Sequence, residues 1–154
     1  MKSYCEHCDA ERNTFVEQRE ETLPVKGEDT TVIADVRVCA VCNNPVWDRE
    51  LDGESLKTAF DAYREKHGLL TCAQIKSFRD QYGLTQIQFA RLLGLGDKTI
   101  ARYETGSIQD EAINTLMVLA SIPSNMRILR ERKPPNFQEA QGTACQSIVV
   151  NLTV

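Results

Sequence analysis

The sequence predicts an α+β protein: a small N-terminal β ribbon held together by cysteines, followed by an all-α domain of five helices. The ribbon is predicted by two C-x2-C pairs within the first 42 residues and by apolar–polar alternation between them. The helices are predicted because, from residue 71 onward, apolar residues recur every three or four positions. We expect a ribbon at 1–50, a connector helix at 51–70, the helical domain at 71–133 and a tail at 134–154.

The cysteine pairs carry the clearest chemistry in the chain. Thirty residues separate the two pairs, whose members are Cys5, Cys8, Cys39 and Cys42. Each pair can form a tight turn, called a knuckle here. Two knuckles supply four thiolates, which suit tetrahedral Zn²⁺ with Zn–S distances of about 2.3 Å. Asp9 and Asn43 follow the knuckles, and Asp and Asn tolerate the left-handed backbone that a sharp turn needs. We predict one structural Zn²⁺ per chain with no open coordination position; a redox dithiol or an iron centre is the alternative.

The strands of the ribbon follow from the alternating pattern. Residues 30–38 place valines and an alanine on one face, which predicts a half-buried strand entering the second knuckle. Residues 15–22 are expected to pair with this strand through a turn at 26–29. We also expect a short strand at Val46–Trp47. His7, inside the first knuckle, is expected to face solvent rather than replace a cysteine ligand.

Six helical segments are then predicted from apolar spacing, capping residues and glycine stops. The connector is an amphipathic helix over 52–66, with Leu56, Ala59, Phe60 and Tyr63 on its apolar stripe. Thr71 and Thr85 each open a capping box, with glutamine three positions later. We expect the first helix of the helical domain to start at residue 72. Four further helices are expected at 86–93, 97–104, 110–121 and 124–132.

Charge divides the chain into two parts. Residues 1–70 hold nine Lys and Arg against fifteen Asp and Glu, whereas residues 71–133 hold nine basic and six acidic residues. The basic part is where contact with phosphates is expected. The acidic part is expected to meet a different partner.

Composition excludes several classes of protein. No run of 18 apolar residues exists, and the first fifteen residues lack the apolar segment of a secretory signal. We therefore expect a cytoplasmic, nucleoid-associated protein, in which six cysteines indicate metal rather than disulfides. Only two histidines are present, with no Gly-rich phosphate loop, so we expect no enzyme. Cys72 and Cys145 are expected to be structural or idle thiols.

The helical half carries a specific resemblance. The run LTQIQFARLLG at 84–94, followed by TIARYETG at 99–106, resembles the signature of the Xre/phage-repressor helix-turn-helix family. Together with the ribbon, the whole chain resembles the MqsA/YgiT-type antitoxins and related zinc-ribbon regulators. The resemblance implies double-stranded operator DNA as one partner. It also implies a basic, growth-inhibiting toxin as another, which we expect the acidic N-terminal half to bind.

In such folds the second helix of the pair enters the major groove by its N-terminal end. With Gly96 expected at the N-cap, Lys98 and Arg102 can both donate to guanine O6 and N7. Thr99 is expected to contact a phosphate or a thymine methyl group. Asp97 either accepts from cytosine or favours the helix N-terminus through the helix dipole, and the second is preferred.

The preceding helix is expected to position the protein on the DNA backbone. The resemblance implies that Gln86 holds a phosphate through its side chain and the backbone amides, with Gln88 and Arg91 as weaker candidates. Glu104 and Arg79 match family positions that form an internal ion pair, so both are expected to be structural.

The functional expectation is a transcriptional repressor, the antitoxin of a toxin–antitoxin pair that represses its own operon. We expect a homodimer formed by the helical domain, since one such domain covers few base pairs. The alternative is a protein-interaction adaptor that neutralises a partner without a primary DNA role. In the tail, residues 147–154 alternate like a strand, and disorder of this segment is the alternative.

Overall fold

The computed structural model of the chain describes residues 1–132. Its N-terminal part is one antiparallel sheet of three strands in the order β1-β2-β3, with bounds Lys2–Cys5, Ala10–Val25 and Glu28–Cys39. The ladder between β2 and β3 runs without interruption from Thr14–Cys39 to Val25–Glu28. The two predicted strands are therefore confirmed in type and partner but are longer than alternation indicated. The extension holds both polar and apolar residues, which continue the ladder because backbone groups make its hydrogen bonds.

The turn between β2 and β3 lies where the sequence placed it. Lys26 and Gly27 both have positive φ, 49° and 83°, as in the two-residue turn that matches the twist of a hairpin. The predicted strand at Val46–Trp47 is wrong. Pro45 makes a single bridge to Val38, and the Val46 N–H donates to the Arg37 carbonyl at 2.8 Å.

Helix α1 (Arg49–Lys66) packs on this hairpin. It begins three residues earlier than predicted because the Asp48 side chain accepts from the N–H groups of Glu50 and Leu51. The prediction that Leu56 is buried is wrong, since 42% of this residue is exposed. Ala59 of the predicted stripe is buried, as is Ser55, which the stripe did not include, and such small side chains allow a close approach between helix and sheet.

Five further helices form the second half of the described residues. Their bounds are α2 (Cys72–Gln81), α3 (Gln86–Leu92), α4 (Thr99–Glu104), α5 (Glu111–Ala120) and α6 (Pro123–Glu131). Each contributes one side chain to the centre of a shared core, and all five are at most 2% exposed: Ile75, Phe89, Ile100, Met117 and Met126. The α+β fold class is thereby confirmed, and both predicted capping boxes form.

Helix α4 differs from the prediction at its start. It begins at Thr99, with Lys98 rather than Gly96 at the N-cap and no side-chain cap. The Thr99 N–H closes a turn onto the Gly96 carbonyl at 2.9 Å, so residues 97 and 98 belong to this turn.

The predicted tail at 134–154, with its strand at 147–154, lies outside the described residues. Within residues 1–132, no helix is both long enough and apolar enough to cross a membrane.

Candidate metal centre and nucleic-acid interface

The four cysteines of the two C-x2-C pairs meet at one end of the sheet. All four Sγ atoms lie within 4.8 Å of one another. The Sγ atoms of Cys5 and Cys42 are 3.5 Å apart, and those of Cys8 and Cys39 are 4.0 Å apart. A tetrahedron of sulfurs around a metal at about 2.3 Å has edges of roughly 3.8 Å. The cluster therefore has the dimensions of a four-thiolate metal site, and it could hold a metal ion.

The two knuckles are built as the sequence indicated. Asp9 and Asn43, which follow the second cysteine of each pair, have φ of 47° and 60°. The Asn43 N–H donates to the Cys39 carbonyl at 3.0 Å, and the Val41 N–H lies 3.5 Å from the Cys39 Sγ. Backbone N–H groups that approach a sulfur stabilise its thiolate form. His7 is exposed and does not join the cluster, as predicted.

The thiols differ in how readily they ionise. The backbone N–H and then the side chain of Asn44 lower the pKa of Cys42 to about 6. Hydrogen bonding to Cys42, followed by burial, raises the pKa of Cys8 to about 12. One thiolate thus forms easily, and further negative charge at such short range is unfavourable without a cation. Four thiolates held this closely fit a divalent ion of the soft or borderline kind.

Helices α3 and α4 are the two helices that the sequence predicts as a helix-turn-helix pair, and a short turn joins them. Gly94, with φ of 73°, ends α3, and the Leu95 N–H donates back to the Ala90 carbonyl at 2.8 Å. Leu95, the apolar residue of this turn, packs against the helical core. The core thereby fixes the angle at which α4 leaves α3.

The predicted DNA-reading residues lie together at the beginning of α4. Lys98 is the exposed N-cap, Thr99 is half-buried at the first helical position, and Arg102 is exposed one turn later. Thr99 and Arg102 are three positions apart and therefore share a face of the helix. Lys98 and Arg102 are both exposed, and the Arg102 N–H donates to the Lys98 carbonyl at 3.2 Å, one helical turn apart.

Asp97 does not stand alone beside this surface. Its carboxylate accepts from Arg91 Nε and Nη2, both at 2.8 Å. These hydrogen bonds lower the pKa of Asp97, which therefore stays ionised. The pair with Arg91 offsets the negative charge next to Lys98. The sequence prediction for Asp97 named only the helix dipole and not this partner. Arg91 lies six positions earlier, on the other side of the turn between α3 and α4.

Glu104, at the end of α4, is turned inward and held by two other helices. Arg79 Nε donates to its Oε1 at 2.6 Å, and Gln86 Nε2 donates to its Oε2 at 2.7 Å. The side chain of Glu104 is 6% exposed and that of Arg79 is 12% exposed. The predicted ion pair is confirmed. Gln86, predicted as a phosphate contact, also belongs to this buried cluster.

Gln88 has a second role besides the predicted one. Its Oε1 accepts from the Thr85 N–H at 2.9 Å, which completes the capping box of α3. The first backbone N–H groups of α3, those of Gln86 and Ile87, precede the capped position and lie at the exposed end of the helix.

Sequence reasoning did not find three polar residues that organise the molecule. Asn44 follows the second knuckle, and its hydrogen bonds lower the pKa of Cys42. Arg64 is 2% exposed within α1, where only an apolar stripe was expected inside. Gln109 is 1% exposed and donates to the Leu70 carbonyl at 2.7 Å. No local pattern announces the contacts of Arg64 with Gly106 and of Gln109 with Leu70, since these partners are distant in sequence.

The comparisons with known proteins agree with this arrangement. A family model described as the antitoxin component of a bacterial toxin–antitoxin system, MqsA, matches residues 1–131. A search of curated proteins found no match. The matched range contains both the four-cysteine cluster and the five helices that follow α1. The chain therefore belongs to the MqsA family of antitoxins.

Proposed function

We propose that this antitoxin also represses its own operon, by reading double-stranded operator DNA with α4. The observation that carries the proposal is the surface formed by Lys98, Thr99 and Arg102. Two exposed cations lie there on adjacent turns, while Asp97 is paired with Arg91 and Glu104 points inward. Such a surface favours phosphates and guanine edges.

Each residue of the surface has a separate role in the proposal. Arg102 donates to guanine O6 and N7 in the bidentate manner, and Lys98 donates to a neighbouring base. Thr99 contacts a phosphate or a thymine methyl group. The start of α3 binds a phosphate through the backbone N–H groups near Gln86 and Gln88, because helix N-termini attract anions.

We further propose that the helical half forms a symmetric homodimer. Exposed apolar side chains on α5, on α6 and in the turn between them support this proposal: Val118, Leu119, Ile122 and Ile128. A two-fold axis near this face would place two copies of α4 about 34 Å apart, one helical turn of DNA. Light scattering of the full chain at micromolar concentration checks the dimer.

The metal in the proposal is Zn²⁺, bound by Cys5, Cys8, Cys39 and Cys42 with a structural role. Four thiolates leave no position for a reacting water, so the site supports a fold rather than a reaction. Antitoxins act by binding, and we propose no enzymatic activity for this chain.

The toxin partner is proposed to be basic and to bind the N-terminal half. Exposed carboxylates are spread over β2, β3 and α1 and support this proposal: Glu11, Glu20, Asp29, Asp35, Glu50, Asp52 and Glu54. The division into a ribbon at 1–50, a connector at 51–70 and a DNA-binding domain at 71–133 is part of the same proposal.

The experiment is a titration of variants against cognate and scrambled duplexes at two salt concentrations. Arg102→Ala should lower affinity for the cognate duplex by about 1–3 kcal/mol and relax the preference at one base pair. Gln86→Pro, compared with Gln86→Ala, removes one backbone N–H at the first helical position of α3 and should weaken binding to both duplexes by similar factors, because a phosphate contact carries no sequence information. Arg12→Ala, which removes the same charge from an exposed position in β2, is the matched control.

Two outcomes contradict parts of the proposal. Equal losses for both duplexes in Arg102→Ala mean that Arg102 contacts the backbone and not a base. No loss in either Lys98→Ala or Arg102→Ala means that α4 does not enter the groove. The protein-interaction adaptor would then be the better description.

A further inference from the structure

The segment between α4 and α5, residues 106–110, is held by the N-terminal half of the molecule. We call these five residues the α4–α5 segment. It follows directly on the helix proposed to read DNA, and Lys26, Arg64 and Leu70 of the N-terminal half contact it. The two halves therefore meet at the end of α4.

A buried arginine makes the central contact. Arg64 of α1 donates through Nη2 to the carbonyls of Gly106 at 2.6 Å and Ser107 at 3.2 Å. Its Nη1 donates to Asp61 Oδ1 at 2.8 Å. A charged side chain that is 2% exposed is unfavourable unless its donors find acceptors; Nη1 and Nη2 find them, whereas Nε has no partner among the described residues.

The two residues that Arg64 holds also close the C-terminus of α4. The Ser107 N–H donates to the Arg102 carbonyl at 2.9 Å, and the Gly106 N–H donates to the Tyr103 carbonyl at 3.4 Å. Gly106 has φ of 128°, a conformation in which a side chain would be strained. Any movement of these two residues is therefore transmitted to the backbone of Arg102.

Further contacts hold the rest of the α4–α5 segment. Ile108 packs against the apolar cluster formed by β2, β3 and α1. Gln109 is buried and donates to the Leu70 carbonyl at 2.7 Å, and Asp110 accepts from Lys26 Nζ at 2.6 Å. Lys26 belongs to the turn between β2 and β3, so the hairpin itself reaches the segment.

We infer that Arg64 is a positioning residue for DNA reading: it fixes the end of α4, so that base recognition depends on how the N-terminal half docks. The inference rests on the proposed function. Helix α4 has only six residues and no side-chain N-cap, so its own hydrogen bonds fix its orientation weakly. Packing of Ile100 and Tyr103 in the helical core, together with the contacts at the C-terminal end of α4, then decides where Arg102 points.

The test uses the full, metal-loaded chain and compares Arg64→Met with Arg64→Lys. Lys57→Met, an exposed position on the same helix, is the matched control because it removes the same charge. Arg64→Met should lower affinity for the cognate duplex by about tenfold, with a much smaller loss on the scrambled duplex. Arg64→Lys, whose ammonium keeps one donor near the carbonyls, should lie between Arg64→Met and wild type.

Amide hydrogen exchange of the free protein supplies a readout that needs no DNA. Exchange of the Ser107 amide should become about tenfold faster in Arg64→Met, while amides in the middle of α2 and α5 keep their wild-type rates. Should Arg64→Met fail to fold, Arg64→Lys decides the matter by the same two measurements. In that case faster exchange at Ser107 together with weaker cognate binding supports the inference.

The inference is overturned if Arg64→Met folds and keeps both wild-type affinity for the cognate duplex and wild-type exchange at Ser107. If only Arg64→Lys folds, wild-type values of both quantities in that variant overturn it. Equal losses on cognate and scrambled duplexes, with Ser107 exchange unchanged, also overturn it. If wild type binds no duplex, the proposed function fails, whereas exchange at Ser107 still reports whether Arg64 fixes the end of α4.

Discussion

Replacing Glu104 by Gln tests the polar cluster that ties three helices together. The change keeps the shape of the side chain and removes its charge. In the native protein the carboxylate accepts from Arg79 at 2.6 Å and 3.2 Å and from Gln86 at 2.7 Å. The amide of the variant has one acceptor oxygen, so it cannot retain all three bonds.

The expected loss of stability follows from the partners that remain. Removing one member of a buried ion pair costs about 3–5 kcal/mol when the other is left without compensation. Arg79 retains an ion pair with Asp80 at 2.7 Å and a hydrogen bond to the Leu84 carbonyl at 2.8 Å. We therefore expect a smaller loss, about 2 kcal/mol. For a chain of 154 residues this lowers the melting temperature by about 4–8 °C.

The effect should depend on pH in a defined direction. Burial, the largest influence, raises the pKa of Glu104, but hydrogen bonds from Arg79 and Gln86 with the charge of Arg79 lower it below its ordinary value. Its stabilisation is thus fully present above the pKa of the unfolded chain and is lost as pH falls through the lower folded pKa. The difference between wild type and Glu104→Gln should shrink in that acidic range.

Thermal denaturation followed by circular dichroism at neutral and acidic pH measures this difference. Glu65→Gln, at an exposed position in α1, is the control and should leave the melting temperature unchanged within about 1 °C. Equal melting temperatures for wild type and Glu104→Gln at neutral pH would refute the reasoning. A difference that persists unchanged into acid would show that the charge of Glu104 is not its cause.

Three further predictions concern the N-terminal half. Cys39→Ser should reduce zinc from one equivalent to less than about half in elemental analysis, and NMR spectra should show the knuckles unfolded while α2–α6 remain. Asp48→Ala should lower the free energy of unfolding, measured by chemical denaturation, by about 2–3 kcal/mol, because Asp48 caps α1 and binds Arg37 Nε at 2.5 Å. Asp48→Asn, which keeps the cap, should lower it less. Gly27→Ala should cost about 1–2 kcal/mol in the same assay, since its φ of 83° strains an L-residue although no atom blocks the added methyl group; an unchanged midpoint would contradict this.

The fold could be predicted from the sequence where short segments determine it. The alternation in β3, the capping boxes at Thr71 and Thr85 and the glycine after α3 each act within a few residues. The cysteine cluster was also predictable, because paired thiols at fixed spacing leave few other chemistries. The ends of helices were less predictable. Helix α1 begins earlier than predicted because Asp48 caps it, and α4 begins later because Thr99 forms a turn with Gly96.

The sequence by itself determined the cysteine cluster, the two kinds of secondary structure and the location of the exposed cations Lys98 and Arg102. Only the tertiary structure decided that Asp97 pairs with Arg91 and that Gln86 turns toward Glu104. It also decided that Arg64 is buried against the carbonyl of Gly106, forty-two positions away. The physical reason is the distance along the sequence over which each feature is determined. Helix, strand and ligand patterns depend on residues that are neighbours along the chain. The partner of a buried charge depends instead on which elements packing brings together.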